Sequence, residues 1–176
     1  MPTAPSLRAR ALRLLAQREH SRSELRRKLL AHALKVEVAK QPAGDGGAHD
    51  DDARDATAAA LDDLLDALEA AGHLSEARFV ESRVHARAPR FGRRRIEAEL
   101  ARHGLEIGAA ADRELAASEV ERAREVWARR FGAPPHDARE RARQMRFLAN
   151  RGFEGDVIRR VVPPATPADS DEAAER

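Results

Sequence analysis

Residues 100–106 read LARHGLE and residues 148–154 read LANRGFE. Four of the seven positions are identical, and a fifth exchanges Leu105 for Phe153, one large apolar residue for another. Each stretch has an apolar anchor, a polar or basic last turn, a glycine, and an apolar residue that tucks back. That is the pattern of a helix closing through a left-handed glycine. The offset is 48 residues, and writing one helix ending twice constrains the chain to tandem units. At the same offset Phe79 falls on Trp127, two large aromatics, whereas Ile96 falls on Gln144 and breaks the match. Leu25 and Leu29 precede Ile96 and Leu100 by 71 residues, a longer step because an insertion intervenes. The spacing predicts an all-α protein of three tandem three-helix repeats, each about 45–50 residues. A unit that small cannot bury a core alone. Stacked neighbours would form an elongated, curved array with a groove.

Composition agrees. Ala, Arg, Leu and Glu dominate, aromatics are 3%, and few runs of β-branched or aromatic residues read as strands. There is no cysteine, which excludes disulfides and thiolate zinc sites and fits a cytoplasmic protein. No run approaches the roughly 20 apolar residues a membrane span needs. The N-terminal MPTAPSLRARALRLLAQ carries Arg8, Arg10 and Arg13 inside its apolar run, so it reads as an amphipathic helix rather than a signal peptide.

The expected order along the chain begins with a flexible stretch at 1–5. Repeat 1 spans 6–72, with helices at Leu7–Arg18, about Arg22 to Lys35, and from about Thr57 to Gly72. Ser21 with Glu24 reads as a capping box, and Leu61, Leu64, Leu65 and Leu68 form a stripe. Between them residues 36–56, with Pro42, three glycines and clustered Asp, read as a disordered acidic insertion. Repeat 2 spans 73–117, with Ser75 capping a helix that carries Phe79, Val80 and Val84, then helices at Arg93–His103 and Ile107–Ala116. Repeat 3 spans 118–162. There Ser118 with Glu121 reads as a second capping box, Asp137 as the cap of the next helix, and Asp156–Val162 as a short last helix. Residues 163–176 read as a disordered acidic tail.

No catalytic constellation emerges. AGDGG at 43–47 lacks the lysine and flanking strand of a phosphate loop. HDDD at 49–52 has cation-binding residue types but sits in the insertion, where a solvated acidic loop is the simpler reading. An enzyme is not expected, and neither a cofactor nor a metal is.

Charge is the stronger signal. The formal net charge is +2, but residues 1–35 hold nine bases and two acids, and residues 36–77 hold two bases and eleven acids. Residues 78–105 and 126–163 are each +5. The basic blocks lie mainly on the second helices, as Arg22, Arg26, Arg27 and Lys28, then Arg90, Arg93, Arg94 and Arg95, then Arg139, Arg143 and Arg146. In an array these would line one basic face able to meet phosphates or an acidic protein surface, since the planar fork of arginine pairs with either. The six aromatics read as core, which counts against single-strand stacking platforms. A stand-alone helical nucleic-acid-binding module nonetheless remains the alternative to a protein partner.

Four segments carry a family resemblance: ALRLLAQREHSRSELRRKL at 11–29, GHLSEARFVESRV at 72–84, RFGRRRIEAELARHGL at 90–105 and RFLANRGFEGDVI at 146–158. Together they resemble the RecX family, bacterial regulators of the RecA recombinase. Arg151-Gly152-Phe153 followed by a short helix is similar to that family's usual ending. Ser75-Glu76 stands where the family usually has Asp, and the insertion is longer than usual. The resemblance implies tandem three-helix repeats and a non-enzymatic regulator. Such a protein binds in the groove of the RecA–DNA filament and usually suppresses ATP hydrolysis, strand exchange and co-protease activity. RecA, with DNA directly or through the filament, is the expected partner, and a monomer without membrane association the expected form.

Overall fold

A computed structural model describes the backbone of residues 6–40 and 49–165, and the side chains of residues 6–36 and 54–165. Among the described residues there are nine helices and no strand. They are α1 (Leu7–Gln17), α2 (Arg22–Lys40), α3 (His49–Ala70), α4 (Glu76–Arg87), α5 (Arg93–Ala101), α6 (Ala109–Ala117), α7 (Glu119–Arg130), α8 (Ala138–Asn150) and α9 (Gly155–Val161). The chain divides into two compact units, Met1–Phe79 and Val80–Arg176, so the division falls inside α4.

The first unit is organised by leucines at helical spacing. Leu25 and Leu29 of α2 and Leu61, Leu65 and Leu68 of α3 are buried together with Ala11 of α1 and Leu74. Side-chain oxygens supply the missing acceptors at helix starts: Ser6 Oγ accepts from the Ala9 N–H at 3.2 Å, and Ser21 Oγ from the Glu24 N–H at 3.1 Å. The expected disordered insertion is corrected in part. Helix α2 continues to Lys40 and α3 starts at His49, before the expected resumption at Thr57. No Pro or Gly interrupts residues 36–40, and the Asp- and Ala-rich stretch from 49 suits a helix start, where acidic residues meet the positive end of the dipole. The centre of the insertion, residues 41–48, lies outside the described residues, as do residues 1–5 and the tail from 166.

In the second unit α7 packs on α6, α8 and α9, and α8 packs on α9. Ala123, Val126, Leu148, Phe153, Val157, Ile158, Val161 and Val162 form its core, with Val120, Trp127, Met145 and Phe147 packed around them. The repeated motif ends α5 and α8 in the same way. The Leu105 N–H donates to the Leu100 carbonyl at 3.2 Å, and the Phe153 N–H to the Leu148 carbonyl at 3.3 Å. Gly104 and Gly152 take φ of 74° and 82°. Leu100 and Leu148 are thus both fully buried anchors and the acceptors of the closing bond.

The two turns differ in what surrounds them. A Cβ on Gly104 would meet nothing within 4 Å, whereas one on Gly152 would lie 2.5 Å from the Arg95 Cβ. Opposite it, a Cβ on Gly92 would lie 2.3 Å from the Gly152 carbonyl carbon. The Gly92 N–H donates to the Arg151 carbonyl at 2.9 Å. The turn before α5 and the turn after α8 therefore meet backbone to backbone, which only glycine permits.

The mismatch of Ile96 with Gln144 has a local cause. Both are buried, but Gln144 uses its amide oxygen to accept from the Trp127 indole N–H at 2.8 Å. Trp127 is only partly buried, unlike Phe79 at the equivalent position, so its N–H has a partner only because residue 144 is polar. The expected capping box at Ser118 is corrected. Ser118 is helical (φ −87°, ψ −3°), and its hydroxyl donates back to the Glu114 carbonyl at 2.9 Å. The residue beside it takes the capping role for a different helix. Glu119, 2% exposed, accepts from the Arg93 N–H at 2.8 Å, closing the start of α5 where Gly92 has no side chain to offer.

Candidate functional site

Helices α2, α5 and α8 carry most of the expected basic residues, and the structure divides them by partner. On α2, Arg22 and Arg26 are paired by acids of α3. Arg22 Nη1 lies 2.7 Å from Asp66 and 3.0 Å from Glu69, and Arg26 forks onto both oxygens of Asp62 at 2.8 and 3.0 Å. The Asp62 hydrogen bonds raise the pKa of Arg26, and that of Asp62 falls in return. Lys28 Nζ lies 3.0 Å from Glu24 and 3.1 Å from His20 Nε2. Glu24 also accepts from Arg18 Nη1 at 3.1 Å. Burial opposes ionisation of Glu24, yet the Arg18 and Lys28 hydrogen bonds outweigh it and hold its pKa at about 2. Arg27 is exposed and stands outside this pairing.

On α5 the three consecutive arginines have three different environments. Arg93 is held by Asp112 at 2.6 Å and Glu97 at 3.0 Å. Arg94 is 68% exposed, with Glu154 at 4.0 Å. Arg95 Nη1 donates to the Asn150 carbonyl at 2.8 Å, and its guanidinium lies 4.6 Å from the Phe91 ring centroid. On α8, Arg139, Arg143 and Arg146 line one cleft with His136, Asp137 and Glu140, and Arg143 pairs with Glu140 at 3.1 Å.

Arg90 belongs to another cleft, in the second unit, with arginines that the helix-by-helix reading did not select. Its lining is Arg90, Arg129, Arg130 and Arg151, with Pro89, Val126 and Phe147. Four arginines thus line it beside three apolar residues, and no Asp or Glu is among the lining. Arg129 Nη2 donates to the Pro89 carbonyl at 3.0 Å, and Arg151 Nη1 to the Arg90 carbonyl at 3.1 Å. Arg129 also pairs with Glu125 on its own helix, at 3.8 Å.

The aromatics also need correction. Phe79 and Phe153 are core, but Phe91, Phe131 and Phe147 are half-buried and stacked with arginine. Arg151 lies 4.5 Å from the Phe147 centroid and 5.9 Å from that of Phe91, and Arg130 lies 5.6 Å from that of Phe131. Phe131 and Phe147 meet edge to face at 5.2 Å. The missed signal is the spacing of Phe147 and Arg151. At i, i+4 they share one helix face, and a ring beside a guanidinium is a favourable pair.

Arg122 is a basic residue of the opposite kind. It is part-buried, donating to the carbonyls of Ala88 and Phe91, both at 2.9 Å, and of Leu115 at 2.8 Å. Burial lowers its pKa, and its work is to hold the turn between α4 and α5 that carries Arg90. No cluster of His, Asp or Glu able to hold a metal occurs among the described residues. The side chains of His49–Asp52 lie outside that set. No described helix is long and apolar enough to cross a membrane.

Two family models match the chain: RecX, second three-helix domain, over residues 75–110, and RecX, third three-helix domain, over residues 117–162. Both walls of the arginine cleft fall inside these spans. Over 159 residues the chain is 49% identical to the regulatory protein RecX of Leptothrix cholodnii, covering 89% of this chain and 87% of that one. The chain belongs to the RecX family. It is also 44% identical to the regulatory protein RecX of Ralstonia nicotianae over 168 residues, 94% of this chain and 92% of the relative. To that of Herminiimonas arsenicoxydans it is 48% identical over 159 residues, 87% and 88% of the two chains. The α3 acids that pair with Arg22 and Arg26 lie outside both model spans.

Proposed function

We propose that this chain is a non-enzymatic regulator that binds the RecA–DNA filament and inhibits RecA ATP hydrolysis, strand exchange and co-protease activity in DNA repair and recombination. The observation that carries the reading is the 49% identity, over most of both chains, to a protein named for regulation in the RecX family. The surface chemistry supports it. The residues offered to a partner are Arg27, Arg90, Arg94, Arg139 and Arg146, all exposed. Arginine forks suit both the carboxylates of a protein filament and the phosphates of the DNA inside it. Arg22, Arg26, Lys28, Arg93, Arg95 and Arg143 reach a partner only by giving up or sharing the internal contacts described above. The protein acts without cofactor, as a monomer, in the cytoplasm.

The test is RecA ATPase on single-stranded DNA with substoichiometric amounts of this protein. Inhibition at ratios well below one per RecA is expected, because capping or interrupting a filament affects many protomers. Unchanged hydrolysis at every ratio overturns the proposal. The alternative, a stand-alone nucleic-acid-binding module, is favoured by the arginine cleft and predicts DNA binding with no effect on RecA at all.

A further inference from the structure

We infer that His20, at the turn between α1 and α2, is a proton-operated latch: neutral, it shares the Lys28 ammonium with Glu24, and protonated, it takes Glu24 for itself and releases Lys28. The latch goes beyond the regulator reading, because it lies within the first unit and needs no partner.

The first support is hydrogen-bond chemistry. His20 is 1% exposed. Its Nδ1 lies 2.9 Å from the Arg18 carbonyl oxygen, and its Nε2 lies 3.1 Å from Lys28 Nζ. A carbonyl oxygen only accepts, so Nδ1 carries the proton. An ammonium only donates, so Nε2 offers a bare lone pair. The two partners thus fix one neutral tautomer. A second proton, on Nε2, would point at the N–H groups of Lys28, and the contact could not survive it.

The second support is the arrangement of charge. Lys28 Nζ also lies 3.0 Å from Glu24 Oε1, so one ammonium bridges the imidazole and the carboxylate. The charged groups acting on the ring are Arg18 at the end of α1, and Glu24 and Lys28 on α2. Glu19, beside it in the chain, is taken by Arg78 of α4 at 2.8 Å. Glu24 is therefore the anion at hand for a charged imidazole. Burial, the largest influence, holds the His20 pKa below its ordinary 6.5, against the Arg18 carbonyl bond; the Arg18 and Lys28 charges add to the lowering and Glu24 opposes it. Glu24 also belongs to the first turn of α2, where its N–H donates to Ser21 Oγ at 3.1 Å. A proton on His20 thus disturbs the start of the helix that brings Leu25 and Leu29 into the core. With the folded pKa below the unfolded one, this stabilisation is complete above about pH 7.5 and is lost as pH falls through the unfolded value towards the folded one.

The experiment is a titration of the full chain from about pH 8 to about pH 5, read by NMR of the histidine ring nitrogens and of the Lys28 Cε–H groups. At the alkaline end His20 should be the Nδ1-protonated tautomer. Its midpoint should lie below 6.5, and the Lys28 resonances should move with that same midpoint. Lys28→Met should raise the His20 midpoint, because a facing cation is gone. Thermal melts by circular dichroism complete the test. The wild-type melting temperature should fall between about pH 7.5 and about pH 5.5. It should fall less in His20→Gln, whose amide oxygen accepts from Lys28 without titrating. Trp127 fluorescence reports the second unit and should not separate the two chains. A His20 midpoint at or above 6.5, or a neutral ring protonated on Nε2, overturns the latch, and this wild-type result decides even where His20→Gln does not fold. Lys28 resonances that stay still while His20 titrates overturn the release. Equal pH slopes in wild type and a folded His20→Gln overturn the link to stability. RecA ATPase plays no part in these readings, so the latch and the regulator reading can each fail alone.

Discussion

Gly104, Gly152 and Gly92 allow two costs that usually occur together to be measured apart. Gly104 needs left-handed backbone (φ 74°) but has open space around it. An alanine there pays only the conformational penalty, about 1–2 kcal/mol. Gly92 has ordinary backbone (φ −74°), but a Cβ would lie 2.3 Å from three backbone atoms of Gly152 and Phe153. No side-chain rotation relieves a clash with backbone, so the turns must part, at about 1–3 kcal/mol. Gly152 combines both, φ 82° and a Cβ 2.5 Å from that of Arg95, for about 2–5 kcal/mol. The assay is urea unfolding followed by Trp127 fluorescence. It is the chain's single tryptophan and lies in the second unit, so it reports the unit that holds all three glycines. The expected order of destabilisation is Gly152→Ala first, with the two single-cost variants below it. The sharpest result concerns Gly92. At a position with negative φ and free space, Gly→Ala stabilises by about 0.4–1 kcal/mol through the unfolded chain. A neutral or stabilising Gly92→Ala would therefore refute the backbone contact between the turns. Equal losses for Gly104→Ala and Gly152→Ala would refute the claim that the two motifs do different work.

Glu24 should make the first unit acid-sensitive. Its folded pKa of about 2 lies below that of an ordinary glutamate, so its stabilisation is present above about pH 5 and is lost as pH falls toward 2. Thermal melts by circular dichroism should show this, and Glu24→Gln should be less stable at neutral pH with a flatter acid dependence; an unchanged slope contradicts the assignment. Glu119 works with the opposite sign, because burial raises its pKa and protonation on acidification meets less resistance in the folded state. Among the α5 arginines, Arg94→Ala should change the urea midpoint by no more than about 0.5 kcal/mol, as an exposed side chain does. Arg93→Ala should cost about 1 kcal/mol through Asp112 and Glu97. Equal effects in the same urea titration would show that the pairing of Arg93 carries no weight.

Local rules read much of this chain correctly. The leucine stripes, the serine at position 21, the aspartate at 137 and the glycine endings all depend on neighbours within a few positions, which a sequence displays. Three of the misses share one cause, a partner supplied by a distant segment. Ser118 and Glu121 have the spacing of a capping box, but the start of α5, 26 residues away, recruits Glu119 instead. Gln144 looks like a fault in the repeat until Trp127 is placed above it. Phe147 looks like core until the turn at Pro89 and Arg90 is brought beside it. The insertion was misread for a different reason. Its glycines and proline cluster at 42–47, and the helices simply run up to them from both sides further than composition averaged over 36–56 allowed.

Charge counted along a chain and charge presented by a fold are different quantities. The basic block at 1–35 has the larger excess, yet Arg22 and Arg26 of it face acids of α3 at 2.7–3.0 Å. A pair at that distance has little field beyond a Debye length, about 8–10 Å. Residues 126–163 have a smaller excess but contribute Arg129, Arg130 and Arg151 to a cleft no acid lines, with Arg90 completing it from the turn before α5. The rule that follows is that a basic helix marks a binding surface only when the helix packed against it lacks the carboxylates to answer it. By that rule Arg22 and Arg26 of α2 fail through Asp62, Asp66 and Glu69, and Arg93 of α5 fails through Asp112. The arginines around Phe147 pass. The same packing that uses Gly92 and Gly152 to join two turns also brings Arg90 to the arginines of α7 and α8. The contact that stabilises the second unit is thus the one that assembles its charge.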